Sequence, residues 1–169
     1  LASELLVEEY GGSFGLRTIV NRCGVVSGPG QFGKQDQGFV SYFAAQYLWG
    51  SRLEFRGFSG SGKQVRDVLH IDDLAAAILM QCRDFGRFSG NVFNLSGGSD
   101  FAVSLRELAE VLEELTGSHI AVKSALGTHP ADVAWLVLDS AKFMGASGWS
   151  PKFGVRSISG SLFCTKSPI

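Results

Sequence analysis

The stretch from Gly57 to Asp67, GFSGSGKQVRD, gathers residue types suited to phosphate: glycines that let backbone approach an anion, a lysine and an arginine. It also spells G-x-x-x-x-G-K, so the first chemistry to weigh is nucleoside-triphosphate hydrolysis at a P-loop. A working P-loop needs Ser or Thr after the lysine to reach Mg²⁺, and a helix directly behind it whose N-terminus faces the phosphates. Here Gln64 follows Lys63, and QVRDVLHI alternates like a strand with three β-branched side chains. The spacing predicts a β-hairpin turned by Gly57, Gly60 and Gly62.

Arg66 is left to explain. An arginine on a strand leaving a glycine turn can grip a diphosphate bidentately. The same spacing allows an ion pair with Asp67, Asp72 or Asp73. His70, beside apolar residues, reads as a packed, hydrogen-bonded core histidine rather than an acid/base group. Asp72 reads as the cap of the helix that follows.

The remaining chemistry is narrowed by what the residues do not form. Cys23, Cys82 and Cys164 are far apart, and no His/Cys/Asp cluster has metal-ligand spacing. Three cysteines without a C-x-x-C point to reduced thiols and a cytoplasmic protein. Fifteen basic against sixteen acidic residues give a net charge of −1 with no basic stripe, which argues against nucleic acid or a membrane surface as partner. No apolar run reaches the ~18 residues of a membrane span.

The elements that must position these residues follow from periodicity. LASELLVEEYGG reads as a helix ending at Gly11–Gly12. A β-rich run from Leu16 to Val26 closes on Gly28–Pro29–Gly30, and the polar loop QFGKQDQG leads into a helix from Phe39 that stops at Gly50. RLEFRGF, KQVRDVLHI and NVFNLSG read as strands, and DDLAAAILMQC as a helix between the last two. SLRELAEVLEELTG is the clearest helix, with Ser104 and Glu107 as a capping box, Gly117 as its stop and Leu105, Leu108, Val111, Leu112 and Leu115 as its core stripe. HIAVKSA and AWLVLDSAKFM supply a strand and a strand-to-helix tail. Alternating strands and helices predict an α/β fold, with too few β-α-β units for a complete doubly wound sheet.

The segment GSGKQVRDVLHIDDLAAAI resembles the G-x-G-x-Q-x-R-D-x-[IL]-H-x-x-D stretch of the extended short-chain dehydrogenase/reductase family, the NAD-dependent sugar-nucleotide epimerases and dehydratases. NRCGVVSGPGQFGKQDQGFVSYF, GNVFNLSGG with SLRELAEVLEEL, and WLVLDSAKFMGASGWSPK resemble its other segments in order, most closely in the branch that inverts C2 of a CDP-linked dideoxyhexose. The resemblance runs from Leu1 to about Phe153. It implies the C-terminal part of a Rossmann-like fold: residues 1–30 a remnant of the dinucleotide-binding domain, 31–153 mostly a substrate-binding lobe, and 154–169 a tail without counterpart. LASE resembles the end of the family's Y-x-x-x-K-x-x-x-E helix, with Glu4 at its Glu, which would put the catalytic Lys just before Leu1 and the Tyr four residues earlier. The resemblance implies NAD as cofactor of the parent enzyme and a nucleotide-diphosphate sugar as its substrate.

Residue by residue, Arg66 falls on the family arginine that contacts the substrate diphosphate. Arg22 and Cys23 fall at the strand end by the nicotinamide, where backbone groups do most of the binding. Gln31, Lys34, Asp36 and Gln37 fall in the loop that wraps nucleotide and sugar; amides and a lysine suit a pyrimidine edge and phosphates, and equally suit a solvated turn. His129 opens HPAD where many relatives have R-x-x-D, offering one donor where Arg has five. No residue of this chain takes a catalytic or metal-ligating role on this reading. Apolar surface at the chain's edge would favour a homo-oligomer.

Overall fold

The computed structural model describes residues 2–35, 37–50, 52–128 and 132–163. Helix α1 (Ala2–Phe14) leads into strands β1 (Ile19–Cys23) and β2 (Val25–Ser27), then α2 (Phe39–Trp49), β3 (Leu53–Arg56) and β4 (Val65–His70). Next come α3 (Ile71–Arg83), α4 (Phe85–Phe88), β5 (Asn91–Leu95), β6 (Ala102–Ser104) and α5 (Leu105–Thr116). The order closes with β7 (Val122–Ala125), β8 (Trp135–Leu136), α6 (Ala141–Ser147) and α7 (Val155–Phe163).

The β-rich run breaks at Gly24, where the chain changes partners. β1 pairs in parallel with β5, Ile19 opposite Asn91 and Cys23 opposite Leu95. β2 pairs in parallel with β4, Val25 opposite Val68. β4 also carries β6 antiparallel and β8 parallel. An ideal Cβ on Gly24 would lie 2.5 Å from Asp67 Oδ2, so a larger residue at this crossing would have to displace the buried Asp67 carboxylate.

β3 pairs with β7, not with β4, so the turn at 57–62 is not a hairpin turn. Its glycines join strands of two different sheets, and their positive φ angles (+78°, +64° and +67° at Gly57, Gly60 and Gly62) set the chain's direction. A Cβ on Gly60 would come within 2.4 Å of Ser124, which fixes the approach of β7.

Helix ends follow local chemistry, with two departures from the pattern read above. α1 runs through Gly11 and Gly12 and gives way at Gly15, where φ is +64°; Tyr10 packs on Phe14 one turn on (5.2 Å between centroids) and Ser13 donates to Glu9, which carries the helix past its glycines. α3 begins at Ile71, and its cap is His70, whose Nδ1 accepts the Asp72 N–H at 3.1 Å. Asp72 sits two residues too late to cap. The α5 box forms as read, with Ser104 and Glu107 bonded reciprocally and Gly117 left-handed at the end.

Two cores result. α2, β3, α5 and α7 enclose Val40, Phe43, Tyr47, Leu53, Leu108, Leu112 and Ile158. Leu69, Phe88, Phe93, Leu95, Phe143 and Trp149 form the second, with Phe143 at 5.2–5.6 Å from three aromatic rings. The tail therefore contributes structure: α7 inserts Ile158 into the first core.

Candidate functional site

The site grows from β4. Arg66, in the middle sheet just beyond the glycine turn, keeps a side chain only 16% exposed. Its Nη1 donates to the Val65 carbonyl at 2.8 Å and its Nη2 to Asp132 Oδ1 at 2.7 Å. The ion-pair partner is thus Asp132, and not Asp67, Asp72 or Asp73. Asp67 is buried on the other side, where the Leu138 N–H approaches its Oδ2 at 3.4 Å. Asp73 accepts the N–H groups of Lys152 and Phe153 at 2.9 and 3.1 Å. Among the described residues, two of the five guanidinium N–H groups are engaged, which leaves three for a ligand.

The turn before Arg66 is tied down from several sides. Gln64 donates to the Arg56 carbonyl at 2.6 Å, while its Oε1 is buried without a partner. The Phe58 N–H donates to Thr128 Oγ1 at 2.7 Å, and the Val65 N–H to the Ala134 carbonyl at 2.9 Å. The segment bearing Asp132 is therefore pinned to the turn at either end. Lys63 points to no phosphate cradle: β4, not a helix, follows it, so the P-loop reading fails in structure as it does in sequence.

The loop after β2 is ordered around Gln31. Its Oε1 accepts from Ser41 at 2.6 Å and from Ser27 at 3.0 Å, and its Nε2 donates to the Val26 carbonyl at 3.1 Å. Lys34 and Gln37 close a tight turn through two backbone bonds, 2.7 and 3.2 Å. Gln31 thus holds the loop's base, and Lys34 and Gln37 stand at its tip. Asp36 and His129 lie outside the described residues. Gln35 reaches Glu54 Oε2 at 3.4 Å, Glu54 pairs with Arg56 at 2.8 Å and Gln64 donates to the Arg56 carbonyl, so loop, β3 and Gln64 form one connected run.

Cys23 and Arg22 end β1 on the other side of the Gly24 crossing. Arg22 pairs bidentately with Glu4 of α1 (2.8 and 2.6 Å), which holds the Glu4 carboxyl below its ordinary range and the guanidinium above its own. Cys23 is exposed. Because Gly24 touches Asp67, Cys23 and Arg66 are the immediate chain neighbours of a contacting pair. His70 is buried, Nε2 3.3 Å from Ser161 Oγ and its ring 4.7 Å from that of Phe153, the packed histidine its surroundings predict. Among the described residues no group of three potential metal ligands forms, and no helix is long and apolar enough to cross a membrane.

Thr128 is the member that sequence reasoning passed over, and Asp132 and Gln64 stood in quoted motifs without a role. Gln64 stood in the P-loop comparison as a missing hydroxyl and in the family stretch as its Gln, in neither case as the anchor of the turn. Nothing local marks Thr128, and the R-x-x-D pattern marks Asp132 without naming its partner; the partners of both lie more than sixty residues away.

Parallel strands that end together beside an arginine-bearing glycine turn define an α/β protein of the Rossmann-like, nucleotide-binding class. Residues 1–96 match the NAD dependent epimerase/dehydratase family, and the chain belongs to that family. It is 33% identical over 158 residues to CDP-paratose 2-epimerase of Salmonella typhi, covering 92% of this chain and 46% of that protein. Its fold matches UDP-glucose 4-epimerase of Thermotoga maritima, solved with UDP-glucose (TM-score 0.82, 25% identity, 98% of this chain and 52% of that one). It also matches the Thermus thermophilus UDP-glucose 4-epimerase solved with NAD (TM-score 0.81, 29% identity, the same coverages). The chain spans about half the length of the curated relatives that it matches over most of its own.

Proposed function

We propose that this chain is the substrate-holding part of an NAD-dependent nucleotide-sugar epimerase acting on a CDP-linked sugar, as CDP-paratose 2-epimerase does. The likeness to that enzyme over 92% of the chain supports the base and the sugar class. The observation that carries the reading is Arg66: a part-buried guanidinium at a glycine turn with N–H groups to spare, in the family's own motif.

On this reading Arg66 grips the diphosphate. Gln31, Lys34, Asp36 and Gln37 wrap nucleotide and sugar, with Gln31 fixing the loop that carries the others. His129 supplies a single donor beside the phosphates. The carboxyl end of β1, Arg22 and Cys23, faces the nicotinamide through its backbone. Residues 1–30 belong to the dinucleotide-binding domain, and 31–153 mostly to the substrate lobe. α7 packs on that lobe.

Bound NAD would supply reversible hydride transfer at a sugar carbon, and the carboxyl end of β1 at Arg22 and Cys23 would border it. This chain offers that cofactor a parallel strand end but no phosphate cradle, since no G-x-x-G-x-x-G occurs in its sequence, and no Tyr-x-x-x-Lys either. By themselves the 169 residues bind and orient the sugar nucleotide without oxidising it.

Titration calorimetry with CDP and UDP tests the assignment. Arg66→Ala should weaken CDP binding about 10- to 100-fold, the worth of charge-assisted bonds of ~1.5–3 kcal/mol. Binding at the unmutated level would remove Arg66 from the site.

A second reading, a self-associating binding module, is favoured by α1. None of its residues is buried, and Leu5, Leu6, Tyr10 and Phe14 are each more than half exposed. A second copy would cover that face. Sedimentation of the purified chain and of Leu6→Glu decides it: a dimer that the substitution dissolves supports this reading, and a monomer in both rules it out.

A further inference from the structure

The connection from β3 to β4 is strained at its start and unsatisfied at its end. Phe58 and Ser59 hold φ angles of +47° and +59°, in the left-handed region that side chains avoid. Gln64, just before β4, is only 6% exposed, and its Oε1 is buried with no hydrogen-bond partner among the described residues. Both features work against stability, and both lie in the segment that delivers Arg66. We propose that Gln64 is a positioning residue for Arg66: its side-chain amide staples the strained turn at its base, so that Arg66 meets a diphosphate already aimed, at a cost in stability. This rests on the reading of Arg66 as the diphosphate-binding residue.

The linkage can be followed atom by atom. Gln64 Nε2 donates to the Arg56 carbonyl at 2.6 Å, which joins the last residue of β3 to the residue before β4. The Gln64 carbonyl accepts the Leu105 N–H at 3.3 Å, so the same residue is anchored to the start of α5. The Val65 N–H then donates to the Ala134 carbonyl at 2.9 Å, and the Val65 carbonyl accepts Arg66 Nη1 at 2.8 Å. The guanidinium thus takes its bearing from a residue whose placement follows from Gln64. The tip of the turn has other ties: Ser124 Oγ donates to the Gly60 carbonyl and Arg106 Nη2 to the Ser61 carbonyl, each at 3.0 Å. Those bonds hold the tip and leave the base to Gln64.

An apolar side chain of similar length separates folding from aiming. Gln64→Met removes the unpartnered oxygen, and because Arg56 is exposed its released carbonyl returns to water. Folding should lose nothing by the exchange. Binding should weaken, because the base of the turn is free to open, the angles at Phe58 and Ser59 relax, and Arg66 is misdirected for part of the time.

The test is calorimetry with CDP, beside urea unfolding, on the full chain, Gln64→Met, Gln64→Leu and Arg66→Ala. Gln64→Met should keep or raise the unfolding midpoint and bind CDP about five- to tenfold more weakly, the worth of one hydrogen bond of ordinary strength, with Gln64→Leu binding more weakly too. If both Gln64 variants bind CDP as the unmutated chain does while Arg66→Ala loses it, the positioning role is wrong, although Arg66 keeps its own. If affinity and unfolding midpoint fall together in the Gln64 variants, the residue serves folding alone and the proposal is equally wrong. If Arg66→Ala binds as the unmutated chain does, or if the unmutated chain binds no CDP, the reading of Arg66 falls and the role of Gln64 with it.

Discussion

Removing the Asp73 carboxylate should loosen the joint between α3 and the segment leading to α7, and the structure sets how much. Asp73 Oδ2 accepts two backbone N–H groups, Lys152 at 2.9 Å and Phe153 at 3.1 Å, and the Asp73 carbonyl accepts Trp149 Nε1 at 3.0 Å. The side chain is buried, whereas Lys152 and Phe153 are exposed, so the freed N–H groups regain some water. Two bonds to a charged acceptor are worth ~1.5–3 kcal/mol each. The loss of a negative charge in the first turn of α3 adds ~0.3–1 kcal/mol. Partial rehydration brings the expected cost of Asp73→Ala to about 3 kcal/mol, a shift of ~6–12 °C in midpoint for a chain of this size. Asp73→Asn, which keeps one acceptor oxygen, should lose roughly half as much. Urea denaturation followed by circular dichroism measures both, and Asp72→Ala is the comparison: that carboxylate is 72% exposed and 3.5 Å from His70 Nδ1, so its removal reports the first-turn charge without the two bonds to Lys152 and Phe153. A loss below ~1 kcal/mol for Asp73→Ala would refute the reasoning, for it would mean that packing alone holds the segment.

Three further outcomes follow from single positions. Gly60→Ala should destabilise by about 2 kcal/mol or more in the same assay, because φ is +64° and the new methyl would meet backbone of β7 (2.7 Å to Ser124 Cα); a loss under 1 kcal/mol would contradict that packing. Gly12→Ala should stabilise by ~0.5–1 kcal/mol, since it lies inside α1 with open space around its Cα; a destabilised variant would mean that the helix does not run through it. Glu107 has its carboxyl held below its ordinary value of 4.5, first by the Ser104 backbone N–H and then by the Ser104 hydroxyl. Its folded-state value is the lower one, so its stabilisation is present above that ordinary value and is lost as pH falls through and below it. The acid limb of a stability-against-pH curve should flatten in Glu107→Gln, and an unchanged limb would show that the capping box carries none of it.

What the sequence disclosed divides along sequence distance. The Ser104–Glu107 box, the stops at Gly50 and Gly117 and the strand after Lys63 are decided by neighbours, and each stands as read. The helix cap at 70–72 shows the limit of local propensity: Asp is the stronger capper, yet β4 ends one residue earlier than that reading required, and His70 holds the position. Tertiary pairing overrode the hairpin, because β3 found β7 and β4 found β2, β6 and β8. Arg66 could be singled out as a candidate phosphate-binding residue from type and motif. Its actual partner could not, since sequence spacing says nothing of a carboxylate that arrives from the far side of the lobe. Gln31 was visible as an amide in a polar loop, but its role as the knot joining Ser27, Ser41 and Val26 needs coordinates.

Gly24 carries a consequence for anyone hoping to tune one half of the site alone. The chain passes from pairing with β5 to pairing with β4 within a single residue, with the Gly24 N–H still bonded to the Leu95 carbonyl. Any change that tilts β4 is delivered through Asp67 to the peptide beside Cys23 with no flexible linker to absorb it. The two sheets are thus mechanically geared together, and a substitution that shifts one will disturb the other unless the crossing is left untouched.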